Sequence, residues 1–104
     1  MLILNDILSA FHFVQNNQDK IMPIKTAYKF TKLGNAIEED IAFFKEKYSN
    51  IINGEMSEDE KEIAASELLS VAVSTVLPKF SIEELDSIEI TPAQLNTLAF
   101  LIEE

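Results

Sequence analysis

The sequence predicts a predominantly helical α+β fold: an unequal helical hairpin with a small two- or three-stranded sheet and a C-terminal helix. Three observations predict it. The apolar series Phe30, Leu33, Ile37, Ile41, Phe44, Tyr48, Ile51 advances by threes and fours, as one face of a long helix does. Three capping boxes, Ser57 with Glu60, Ser81 with Glu84 and Thr91 with Gln94, mark helix starts in the second half. Short β-branched or alternating runs lie between them.

In chain order, Leu2-Ile3-Leu4 is a short apolar run that suits an edge strand, and Asn5-Asp6 after it is a good N-cap pair. Ile7, Leu8, Phe11 and Val14 then recur at helical spacing until the polar run Gln15 to Lys20, which predicts a helix over Asn5 to Asn17. Pro23 suits the first turn of the next helix, and Asn53-Gly54 reads as its C-cap. A helix from Ile24 to Asn53 runs about 45 Å, well beyond the roughly 26 Å diameter of a compact chain of this size. It must overhang, bend or find a partner, and Gly34-Asn35 is the natural place for a bend. The capping boxes predict further helices at 58 to 69, 82 to 87 and 92 to 103, the last with Pro92 at its first position. Residues 71 to 77, closed by Pro78, and 87 to 90, with polar and apolar alternation, complete the expected sheet with residues 2 to 4. Leu68 to Leu77 reads equally well as an extension of the preceding helix. The expected centre of the core is Ile37, Ile41, Phe44, Leu68, Leu69, Leu95, Leu98 and Leu101.

Length and charge set the function classes. The chain has 104 residues, 47% of them hydrophobic, with 18 acids against 8 bases, a net charge of −10, and neither cysteine nor tryptophan. A chain this long buries roughly two thirds of the surface exposed when unfolded, enough for one modest core and a single domain over 1–104. Residues 1–54 form its helical hairpin and residues 55–104 its acidic helix, strand and helix part. The first part balances six lysines against six acids, so the whole excess lies in the second, where Lys61 and Lys79 face twelve acids. All eight bases are lysine, so the bidentate arginine fork that grips phosphate is missing. A chain this acidic is not expected to bind nucleic acid or anionic lipid directly. No apolar run approaches the roughly 20 residues of a membrane span. MLILNDILSAF lacks a basic start and contains Asp6, so it is expected to belong to the fold and not to a secretory signal. Without cysteine, a reducing cytoplasm is the natural compartment.

Catalytic, metal and cofactor chemistry finds little to use, and no catalytic, cofactor-binding or metal residues are expected. The only histidine is His12, with Ser9 the one local hydroxyl, and no strained nucleophile turn accompanies them. Two glycines, Gly34 and Gly54, make no phosphate-cradling loop. The acid runs Glu38-Glu39-Asp40 and Glu55 to Glu62 lack calcium-loop spacing, and consecutive helical positions diverge by 100°. Glu58, Asp59 and Glu60 complement the positive end of a helix dipole without any ligand. Protein contact is the remaining class. Lys25, Lys29 and Lys32 share one face of the long helix beside Tyr28, suited to an acidic neighbour such as the second half of another copy. Phe43-Phe44 points rings to two faces of one helix, one for the core and one for self-association. The candidate interface comprises Tyr28, Phe30, Phe43, Tyr48, Glu58, Asp59, Glu62, Glu83 and Glu84.

The short apolar start, Ala27-Tyr28-Lys29 and Lys32-Leu33, the long helix ending near Lys47-Tyr48, the acidic linker, and Leu85-Asp86-Ser87-Ile88-Glu89-Ile90-Thr91-Pro92 before a closing helix together resemble small, functionally unassigned proteins of tailed phages and prophages. The resemblance spans most of the chain and rests on helix and cap signatures. It departs at Ser49 to Gly54, which is more apolar than in that group. It implies a phage-encoded, non-enzymatic protein that binds a phage or host protein, acting in the host bacterial cytoplasm or in the virion. The expected role is a small virion, assembly or morphogenesis component. The alternative is host takeover: an acidic inhibitor of a host nucleic-acid-binding or defence protein, presenting carboxylates in place of DNA phosphates.

Overall fold

A computed structural model describes residues 2–86, 88 and 90–103. It is mostly helical with a two-stranded antiparallel sheet, the predominantly helical α+β fold expected. The strand β1 (Leu2–Ile3) leads directly into α1 (Leu4–Asn17), and α2 (Ile24–Ile52) follows after a short linker. Then come α3 (Glu58–Leu69), β2 (Ala72–Val73), α4 (Ile82–Leu85) and α5 (Pro92–Thr97), with one 3-10 turn at Ala99–Leu101. Leu2 pairs with Val73 and Ile3 with Ala72, and the Leu4 N–H donates to the Val71 carbonyl at 2.9 Å, so residues 72 and 73 are strand and not helix, while residues 74 to 77 of the expected strand form no regular element.

Local chemistry accounts for the helix starts. The Ser57, Ser81 and Thr91 hydroxyls accept from the backbone N–H of Glu60, Glu84 and Gln94, and the Glu84 and Gln94 side chains accept in return from the N–H of Ser81 and Thr91. The first helix begins one residue earlier than expected: the Asp6 carboxylate accepts from the Ile3 N–H at 3.0 Å, capping from inside the helix. The long helix matches expectation to within one residue and runs unbroken through Gly34. Twenty-nine residues at 1.5 Å each make it about 43 Å long. The molecule measures 48 × 24 × 23 Å, so α2 sets its length and overhangs the core.

The core lies around the first half of α2. Leu33 and Ile37 meet Ile7 and Ala10 of α1, and the rings of Phe13, Phe30 and Phe80 form a triad with centroids 4.9 to 6.1 Å apart. Phe80 is fully enclosed, and its backbone is held on both sides: its N–H donates to the Leu101 carbonyl at 2.7 Å, and its carbonyl accepts from the Glu103 N–H at 2.8 Å. This parallel bridge between Phe80 and Ile102 needs extended backbone. It explains one correction: the expected helix at 92 to 103 stops at Thr97 and a 3-10 turn completes the approach. The helix at 82 to 87 likewise stops at Leu85. Of the expected core, Ile37, Ile41, Leu68, Leu98 and Leu101 are buried, Phe44 and Leu69 are half-buried, and Leu95 is 37% exposed. The expected third strand, residues 87 to 90, falls partly on Ser87 and Glu89, outside the described residues, and Ile88 of that stretch is buried in the core.

Candidate functional site

The overhanging part of α2 and the first turns of α3 form a two-helix arm in which no residue between Ile41 and Leu68 is buried. A short loop after Ile52 turns the chain back, and the Lys61 ammonium donates to the Ile52 carbonyl at 2.8 Å, satisfying an orphan acceptor at the negative end of α2. Phe44 stacks on Tyr48 at 5.4 Å and an interplanar angle of 13°. Phe43, Tyr48, Ile52, Met56 and Ile63 stay exposed. A shallow concavity of about 490 Å³ between the helices is lined by Tyr48, Ile52, Glu58, Lys61 and Glu62 among others. Glu58, Asp59 and Glu62 of the expected interface project into solvent there. With Lys61 turned to the helix end, they are left without a neutralising cation among the described residues.

The opposite end of α2 carries a groove of about 850 Å³ lined by Lys25, Tyr28, Lys29, Lys32, Pro78, Lys79, Glu84 and Glu103. One helical face supplies the first four side chains, and the C-terminal segment supplies the rest. Lys29 is the structural member of the set. Its ammonium donates to Glu84 Oε1 at 2.6 Å and to the Lys79 carbonyl at 2.7 Å, and it lies 5.9 Å from the centroid of the Phe80 ring. The Lys29 ammonium, followed by the Ser81 N–H, holds the Glu84 carboxyl below the usual glutamate range. The Lys32 ammonium sits 5.1 Å from the centroid of the Tyr28 ring, and the ammonium groups of Lys25 and Lys79 have no hydrogen bond or ion pair among the described residues. Beside the groove, Ile21 and Ile24 are 100% and 87% exposed and Tyr28 is 56% exposed.

The nine residues expected at an interface therefore divide. Tyr28 lies at the basic groove, and Phe43, Tyr48, Glu58, Asp59 and Glu62 lie on the arm, all exposed. Glu83 is exposed on α4. Phe30 is a correction: it is 7% exposed and sits in the Phe13 and Phe80 triad, because the helical face that it shares with Leu33 and Ile37 is the core face. Glu84 is a second correction, since its carboxylate ties α4 to α2 and caps its own helix. The exposed Ile21, Ile24 and Ile63 were not among the expected residues. Ile21 and Ile24 flank Pro23 where the linker enters α2, whereas Met22 beside them packs against the core.

His12 is exposed and lines a 270 Å³ cleft with Ser9, Gln94 and Thr97. The Ser9 hydroxyl donates to the Asn5 carbonyl at 3.2 Å, a helix-internal bond that directs its proton away from an imidazole base. Among the described residues, no three His, Asp or Glu side chains converge as metal ligands, and no helix is long and apolar enough to cross a membrane. Compared with family models, with curated proteins and with solved structures, the chain gives no match.

Proposed function

We propose that the chain is a non-enzymatic protein-interaction module, a small virion, assembly or morphogenesis component of a tailed phage or prophage, working with a phage or host protein and with further copies of itself. The phage setting follows from the sequence resemblance. The interaction reading is carried by one observation: the arm between Ile41 and Leu68 holds two rings and three aliphatic side chains at its surface and buries none of its residues. An arm that gains so little from its own fold gains stability from a partner, because apolar area removed from water is the main source of association free energy. The second reading, an acidic inhibitor of a host nucleic-acid-binding or defence protein, draws on the carboxylates of Glu58, Asp59 and Glu62 on α3, a helix with Leu68 as its one buried residue.

A pull-down with the tagged full chain from phage-infected host lysate, at low and high salt, tests the pair. Phage structural proteins retained at high salt and lost with Phe43→Ser support the assembly reading, since apolar contacts are insensitive to screening. A host nucleic-acid enzyme or defence factor released by salt and by Glu58→Gln with Glu62→Gln replaces it with the inhibitor reading. Specific turnover abolished by one substitution overturns both.

A further inference from the structure

The two ends of α2 are complementary in charge and both carry exposed apolar side chains, and from that juxtaposition we infer that copies of the chain associate head to tail, the acidic arm tip of one seating in the lysine groove of the next. The inference rests on the self-association part of the reading above and gives it a geometry. The groove is concave and presents Lys25, Lys32 and Lys79 without carboxylate partners among the described residues. The tip presents Glu58, Asp59 and Glu62, all exposed and with no ion pair among the described residues. Each charged set flanks exposed apolar side chains, Ile24 and Tyr28 at the groove, Ile52, Met56 and Ile63 at the tip. An apolar centre ringed by paired charge is the usual anatomy of a specific interface.

The net charge of −10 does not oppose this contact. Screening at physiological salt confines charge effects to about 8 Å, whereas the molecule is 48 Å long, so the groove meets only the charges of the tip. The same geometry disfavours a nucleic acid in the groove, because a phosphate backbone leaving it runs onto a chain with acids in excess of bases. The two surfaces are different patches at opposite ends of one helix. The association is therefore heterologous, and it grows into a ring if the rotation between copies closes and into an open string if it does not.

Charge reversal tests it on the full chain. Sedimentation velocity of the wild type at tens of micromolar is expected to show a mass that rises with concentration and falls when salt is raised to 0.5 M. Lys25→Glu with Lys32→Glu, and separately Glu58→Lys with Glu62→Lys, are each expected to weaken association at least tenfold. Mixing the two is expected to restore it, because each then offers a surface that complements the other. Circular dichroism checks that both keep the wild-type helix content, and the milder Lys32→Gln, expected to weaken association severalfold, replaces a variant that does not. A wild-type monomer throughout, oligomers that ignore both reversals, variants that fail to recover on mixing, or a DNA oligonucleotide that binds the wild type and not the lysine variant would each overturn the inference. A wild-type chain that captures a pull-down partner yet stays monomeric in sedimentation separates the two ideas: the interaction reading then stands while the head-to-tail geometry falls.

Discussion

The two halves of α2 lie in one continuous helix and have opposite fates. From Thr26 to Ile41 its inner face is buried in steps of three and four against α1 and the C-terminal segment, with Phe30 inside an aromatic triad. Beyond Ile41 the same apolar periodicity continues through Phe44, Tyr48 and Ile51 and reaches only half-buried or exposed positions, because α2 runs out past the core and packs mainly on α3 there. Periodicity reports which face is apolar; the number of elements around that face decides whether it becomes core. Two helices side by side cannot enclose a side chain, and three or more elements can.

The comparison breaks most directly at Phe80. Phe80→Ala is expected to cost about 3–5 kcal/mol in guanidinium unfolding followed by circular dichroism, since it removes the hub of the triad and leaves a cavity among Phe13, Phe30 and Leu101. A loss near the few tenths expected of an arm residue would mean that the two regions are alike. At Gly34, inside the buried half, an added Cβ meets Val14 Cγ1 at an ordinary 3.8 Å, so Gly34→Ala is expected to raise stability by about 0.4–1 kcal/mol. A decrease would show that α1 and α2 are packed too closely there for a methyl group.

Glu84→Gln probes the tie between α2 and the C-terminal segment and is expected to cost about 0.2–1 kcal/mol at neutral pH. The carboxyl of Glu84 titrates lower in the folded chain than in the unfolded one, so its stabilisation is complete above the unfolded value and is lost as pH falls through the folded value. The difference between wild type and variant should therefore close in acid; a difference that persists there would place the effect in packing. The smallest change is expected on the arm. Phe43→Ser should leave unfolding within about 0.5 kcal/mol of wild type while reducing partner capture at high salt. A large loss of stability instead would show Phe43 to be part of the fold.

Much of the architecture was legible because its determinants are local. The three capping boxes placed the starts of α3, α4 and α5, and the Ile24 start and Asn53-Gly54 stop bracketed the long helix within a residue. The closing helix was overestimated because Leu95, Leu98 and Leu101 keep helical spacing even though Leu101 lies in a 3-10 turn. Phe80 was invisible as a core residue: it stands alone between Pro78 and a cap, in no periodic run. At the candidate site, the lysine face with Tyr28 and the exposed acids of α3 followed from spacing. Phe30 shares its spacing with the core residues Leu33 and Ile37, and Glu84 is held by Lys29, 55 positions away, a pairing that no local pattern carries.

The sequence by itself determined where helices begin, where the long one ends, which residues form its apolar stripe and which half of the chain holds the negative charge. Each of these depends on contacts within a few residues, or on composition alone. Only the tertiary structure decided that the stripe is core before Ile41 and surface after it, that Phe80 pairs with Ile102, and that Lys29 reaches Glu84, 55 positions along the chain. Those outcomes depend on which distant segments close onto one another, and closure is set by the packing of the whole chain against its entropy, a quantity that no local pattern carries.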